Sequence, residues 1–149
     1  MDQTDRRILR ELQRDAALPQ RELADRIGLS HNACWRRVRM LEKRGIIMGR
    51  TLRLDRAALG LDLVVFMLVR TRHHSEEWLT SFHRLIGTVP EVIDFYRIGG
   101  DWDYLLKVAA ADMAAYDAIY RRIIARVEFE TVTSLFSMEA IRENGPLPL

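Results

Sequence analysis

The chain has 149 residues, 48% hydrophobic and 30% charged, a balance that excludes a disordered or collagen-like chain and suits one ordinary domain or two small ones. A single cysteine, Cys34, excludes an internal disulfide, and the longest mostly apolar run, Leu59 to Val69, is broken by Asp62 and falls short of the ~18 residues a membrane helix needs. Residues 1–50 carry 12 Lys/Arg against 7 Asp/Glu, net +5, which leaves 11 against 14, net −3, from the totals of 23 and 21, the footprint of a basic head that meets a polyanion and a mildly acidic body that does not.

Asp2, Asp5 and several arginines stand where a secretory signal would place an apolar stretch, so the expected location is the cytoplasm. Thr4 is the expected cap of a first helix with Ile8, Leu9 and Leu12 inward and Arg6, Arg7, Arg10 and Arg14 outward. Leu18-Pro19 breaks that pattern and starts a short second helix through Arg26, with Leu23, Ala24 and Ile27 inward. Gly28 is suited to the left-handed closing position, and Ser30 to capping a third helix that runs to about Arg44. Helix, tight turn, helix, with small Ala24 and Gly28 at the crossing, is the pattern of a helix-turn-helix.

At about 100° per residue, Cys34, Val38 and Leu41 fall on one side of the third helix and Asn32, Arg36, Arg39 and Lys43 on the other. Arg and Asn side chains make the bidentate hydrogen bonds that read base edges, and further cations neutralise phosphates, so this stripe is the expected major-groove surface for double-stranded DNA. With the helix start and the flanking aromatic, the candidate DNA contacts are Ser30, His31, Asn32, Trp35, Arg36, Arg39 and Lys43. Trp35 either rests on the sugar-phosphate backbone or packs. Arg37, off the stripe, is expected to pair with Asp5 or Glu42, and Cys34 to be a small buried hydrophobe.

Gly45 closes the third helix, and the alternation from Ile46 to Asp55 predicts a linker strand before Leu59-Gly60. The expected division is a DNA-binding domain at 1–47, a hinge at 48–60 and a second domain at 61–149. The second domain reads strand Leu61–Arg72, helix Ser75–Gly87, strand Val92–Ile98, strand Tyr104–Ala109, a helix capped by Asp112, and a last strand Phe129–Ile141. That is an α+β chain, a helix-turn-helix followed by a ferredoxin-like βαββαβ domain. Two helices cover only one sheet face, yet both faces of Leu61–Val69 are apolar, Leu63, Val65, Met67 and Val69 against Val64, Phe66 and Leu68. The second face is expected to meet another subunit, making a dimer that reads two half-sites.

Several segments together resemble the Lrp/AsnC (leucine-responsive, feast/famine) transcription regulators over nearly the full length: Asp5-Arg6-Arg7-Ile8-Leu9, Glu22-Leu23-Ala24 through Gly28-Leu29-Ser30, Cys34-Trp35-Arg36-Arg37-Val38, Leu41-Glu42 with Gly45-Ile46-Ile47, and Gly100-Asp101-Trp102-Asp103-Tyr104-Leu105-Leu106. His31 to Ala33 departs from the Pro-containing version often seen in that family. The resemblance implies a winged-type helix-turn-helix head, dimers that commonly assemble to octamers and an amino-acid effector bound between dimers; no metal or other cofactor is expected. It places that effector near Gly99, Gly100, Asp101 and Asp103, with Thr133, Leu135 and Ser137 from the last strand. Backbone donors of a glycine turn suit a carboxylate and an aspartate suits an ammonium, although the same residues also make an ordinary solvated hairpin. Branches with a similar Cys-Trp-Arg-Arg helix and a Phe-Tyr-Arg, here Phe95-Tyr96-Arg97, include regulators that respond to cysteine.

An enzyme has little to work with. His31, His73, His74 and His83 lack HExxH spacing, Cys34 lacks a placed base, and neighbours His73-His74 point apart in a strand. The rival reading is an amino-acid-binding oligomeric module with a vestigial head, against which the cationic stripe argues.

Overall fold

The structure, a computed structural model, describes every residue from Met1 to Leu149. Contacts divide the chain into a head, Met1–Arg53 with Ile141–Leu149, and a second unit, Leu54–Ala140.

The head holds three helices: α1 (Gln3–Arg14), α2 (Gln20–Ile27) and α3 (His31–Lys43). The cap of α1 is Asp2 rather than Thr4: its carboxylate accepts from Asp5 N at 2.8 Å while Asp5 returns the bond to Asp2 N at 3.1 Å. A reciprocal capping box satisfies two end donors at once, which a lone Thr cap does not. Gly28 ends α2 in the left-handed region at φ 76°, and Ser30 caps α3 through Ala33 N. Ile8, Leu9, Leu18, Leu23, Ala24, Ile27, Cys34, Val38 and Leu41 form one buried cluster, the inner faces that the helical spacing marks out.

No strand forms between Ile46 and Asp55. Ile46 and Ile47 donate back to Leu41 O at the end of α3, and Asp55 folds the following residues into a turn by accepting from Ala57 N and Ala58 N. Alternation marks a chain able to be a strand, but a strand needs a neighbouring ladder, and none lies beside this segment.

The second unit contains β1 (Leu63–Arg70), α4 (Glu76–Ile86), β2 (Val92–Arg97), β3 (Tyr104–Ala110), α5 (Met113–Ile124) and β4 (Thr131–Phe136). The sheet order is β2-β3-β1-β4, antiparallel throughout, the split βαβ arrangement. Ser75 and Asp112 cap the two helices. The last strand is shorter at both ends than the expected Phe129–Ile141: pairing with β1 starts at Thr131 and stops at Phe136 opposite Val65, and only Ser137 N continues, to Val64 O.

Val65, Met67, Val69, Leu106 and Val108 face Phe82, Leu85 and Ile86 of α4 and Tyr116, Ile119 and Ile123 of α5 in one core. Phe82 is its centre, with ring centroids 5.1–5.3 Å from Trp78, Phe95, Tyr104 and Phe129. The other face carries Phe66, Leu68, Leu105, Leu135 and Tyr96 in register. Leu135 and Tyr96 remain about half exposed, at 50% and 52%.

Candidate nucleic-acid interface and effector positions

The outer surface of α3 is set by what seals its inner one. Cys34, Val38 and Leu41 are buried, so His31, Asn32, Trp35, Arg36, Arg39 and Lys43 are all turned outward, and Ser30 sits exposed at the cap. Arg36 and Lys43 make no ion pair or side-chain hydrogen bond within the chain. Arg39 is partly engaged: it reaches Glu42 at 3.1 Å and lies over the Trp35 ring, 5.6 Å from its centroid. Trp35 is 45% exposed, with Arg39 stacked on its ring.

A groove of about 380 Å³ beside this stripe is lined by Trp35, Arg39, Glu42, Pro19 and Arg50. Arg50 is absent from the sequence-based list because the alternating stretch around it reads as linker; its charge sign was the one available signal.

The remaining arginines of the head hold it together. Arg37 bonds both Asp2 and Asp5 at 2.7 Å, and the Asp5 side chain is 3% exposed; Glu42, the other expected partner, goes to Arg39 instead. The Asp5 backbone amide and then the Arg37 guanidinium hold the Asp2 carboxyl below the usual carboxylate range, and the two carboxylates push Arg37 up. Arg26 is likewise raised by Glu11 and Glu22. Burial pushes the Cys34 thiol up, which keeps it protonated and unreactive at neutral pH.

The candidate effector positions are less gathered. The turn Gly99–Asp103 sits at the Arg70 end of β1: Asp103 N donates to Val69 O at 2.9 Å, and Arg70 Nε to Asp101 O at 2.7 Å. Arg70 also lies over the Trp102 ring at 5.1 Å. Gly100 has φ 110°, whereas Gly99 does not take a positive φ. The Asp103 carboxylate accepts from Thr71 N at 2.8 Å and is half-buried, while Asp101 is exposed. Thr133 and Leu135 lie on the outer sheet face opposite Leu68 and Phe66. Ser137 is bonded at Val64, at the other end of β1 from the turn. Within one chain, therefore, the turn and Ser137 do not meet.

The structure contains no cluster of His, Cys, Asp or Glu able to hold a metal ion, and no helix long and apolar enough to cross a membrane.

Against this geometry, residues 1–48 match a family described as winged helix-turn-helix DNA-binding and residues 64–147 one described as Lrp/AsnC ligand binding domain. The glutamate uptake regulatory protein of Zymomonas mobilis is 44% identical over 149 residues, covering 100% of this chain and 91% of that protein. An AsnC family transcriptional regulator from Agrobacterium tumefaciens superposes with TM-score 0.95 at 46% identity, covering 99% of this chain and 97% of the other. A transcriptional regulator from Neisseria meningitidis, solved as an L-Met complex, superposes with TM-score 0.94 at 29% identity over 99% and 96% of the two chains.

Proposed function

This chain belongs to the Lrp/AsnC family of DNA-binding transcription regulators, and on that premise we propose that it reads a two-fold operator through α3 and tunes that reading to an amino acid held by its second unit. The family is one of regulators, not enzymes. The observation that carries the proposal is the division of α3: a sealed apolar face backs a stripe in which Arg36 and Lys43 have no partner in the chain. Guanidinium donors left free on a rigid helix face are what base-edge readout uses, and Lys43, Arg39 and Arg50 supply phosphate neutralisation. Asn32 adds a paired donor and acceptor for adenine, while Ser30 and His31 stand at the helix start that enters the groove first. Trp35, stacked under Arg39, lies against the sugar-phosphate backbone.

The same reading divides the protein into a DNA-binding domain at 1–47, a hinge at 48–60 and a sensing and assembly domain at 61–149, of which the closing residues Ile141–Leu149 pack with the head. The apolar outer face of the sheet, with Leu135 and Tyr96 half exposed, is suited to a second copy of the sheet, and dimers so formed assemble further, to octamers. Assembly is also what makes an effector site from separated positions. The turn Gly99, Gly100, Asp101 and Asp103 of one copy meets Thr133, Leu135 and Ser137 of another; main-chain donors of the turn take the carboxylate, and Asp101 takes the ammonium. Cysteine is the first amino acid to try, and the working compartment is the cytoplasm, where operator and metabolite meet.

The test is fluorescence anisotropy with DNA from the upstream region of the protein's own gene, at fixed salt and with competitor DNA, with and without each amino acid. Specific binding shifted by one amino acid is the expected result. Absence of specific binding under every condition would overturn the reading and favour a sensing module with a vestigial head.

A further inference from the structure

The last nine residues, Ile141–Leu149, fall in the second domain by the division at 61–149, yet they belong to the head by their contacts. Their attachment is specific. The Gln13 side-chain amide pairs with the main chain of Leu147 in both directions, Leu147 N to Oε1 at 2.6 Å and Nε2 to Leu147 O at 3.3 Å, as a neighbouring strand would. One helical turn away, Arg10 donates through Nε at 2.7 Å to the main-chain oxygen of Leu149 and through Nη2 to the same atom. The Leu149 side chain packs against the buried head cluster. Leu147 and Leu149 line an apolar cleft of about 530 Å³ with Leu9, Leu12, Ile46 and Met48. Pro146 and Pro148 flank Leu147, and each fixes its own φ and biases the preceding residue toward extended backbone, so the segment loses little entropy on docking.

Two independent kinds of contact thus converge on α1: side chains at i and i+3 that read main chain, and a cleft that takes leucine side chains. The second unit, Leu54–Ala140, is bounded in sequence by head residues on both sides. Its entry is the turn after Arg53; its exit follows β4 and Ser137, which is itself bonded to Val64 O.

We infer that Arg10, Gln13 and the cleft beside them are a docking site for an extended, Pro-flanked leucine peptide, occupied by the chain's own closing segment, and that this segment straps the exit of the sensing unit to α1 so that the effector signal reaches the head through it. The relay rests on the sensing function proposed above; the docking does not. A shift of β4 on effector binding pulls on Ile141 and, through Leu147 and Leu149, on α1, whose Asp2 and Asp5 hold Arg37 of α3. Arg53–Leu54 is the only covalent link from the second unit to the three helices of the head; the second crossing, Ala140–Ile141, reaches them only through the docked segment.

The experiment uses the full chain with Gln13→Ala, and with Arg10→Ala and Gln13→Ala together. Hydrogen exchange of the Leu147 amide, the one amide of the segment that donates to α1, followed in the 142–149 peptide by mass spectrometry, is expected to speed up about tenfold in the double variant as that bond is lost, with the α3 peptide unchanged. Exchange at the wild-type rate would overturn the docking. In the same proteins, operator anisotropy is measured with each of the common amino acids as probe. Basal affinity is expected to stay within about twofold of wild type while the amino-acid-dependent shift collapses toward none. A shift of wild-type size, despite a freed segment, would overturn the relay. If no amino acid shifts even the wild-type protein, the sensing reading falls and the relay with it, and the exchange result still decides the docking.

Discussion

The head and the sensing unit solve the same problem with different materials. In the head, small aliphatic side chains and Cys34 form the cluster, and much of the specificity of packing comes from charge: Asp2 and Asp5 with Arg37, and Glu11 and Glu22 with Arg26. The sensing unit is organised instead by a sheet and by aromatic rings gathered on Phe82. In both, the functional surface is what internal packing leaves uncompensated. Arginine divides into committed residues, Arg26 and Arg37, and the free Arg36; the apolar residues of the sheet divide into a sealed face and one that leaves Leu135 and Tyr96 half exposed. In the function proposed above, the free charge is the surface that meets a polyanion and the free apolar area the surface that meets another subunit.

The strongest way to break the comparison is to remove the aromatic centre. Phe82→Ala leaves a cavity ringed by four side chains that helix and sheet both hold in place, and is expected to cost about 3–5 kcal/mol. If the two units are independently organised, thermal unfolding of the variant shows the sensing unit melting first while helical signal from the head persists. A single transition lowered as a whole would show that the units share their stability. Next in size, Arg36→Ala removes a free cation without touching a committed one. Operator affinity is expected to fall by about 1–3 kcal/mol, with relaxed base preference, and oligomer size by ultracentrifugation to be unchanged. Normal footprinting by the variant would remove Arg36 from the interface.

Asp103→Ala sharpens the division within the sensing unit. The carboxylate accepts from Thr71 N, so its loss leaves a backbone donor unpaired at the Arg70 end of β1 and is expected to cost about 1–2 kcal/mol. Because the turn it holds is the proposed carboxylate cradle, the amino-acid response weakens while basal DNA binding is kept. Asp101→Ala, at an exposed position, separates the two roles: it is expected to blunt the response with little effect on melting temperature.

The parts legible in the sequence were those written in local, periodic chemistry. Gly28 and Ser30 bracket the turn before α3 because few residues close or cap a helix, and the α4 and α5 faces follow from spacing alone. Composition does not separate Asp2 from Thr4, both good caps; only the reciprocal bond with Asp5 decides between them. Ile46–Asp55 has strand chemistry without a neighbour to pair with, and Phe129–Ile141 outruns its ladder with β1; pairing is a non-local fact that alternation does not contain. The alternation of Pro146-Leu147-Pro148-Leu149 marks an extended segment, but where it docks is a non-local fact that four residues do not carry. The stripe on α3 was legible as a face, but the partial commitment of Arg39 to Glu42 and Trp35 is a matter of rotamers.

The smallest expected effect concerns the charge that organises the head. Asp2 has its pKa lowered by the Asp5 amide and Arg37, so the folded head holds this carboxylate ionised more tightly than the unfolded chain does. The stability this contributes is fully present above the ordinary carboxylate pKa and is lost as pH falls through the lower folded value. Asp2→Asn keeps a good capping side chain but has no proton to take up. Its head is therefore expected to be slightly less stable than wild type at pH 6, with the gap closing toward pH 3, as read by melts followed at a helical wavelength. Because the Asp2 side chain is more than half exposed at 54%, added salt narrows the gap at pH 6 as well. Equal acid sensitivity in the two proteins would move the organising role to Asp5 alone, which is the buried member of the pair.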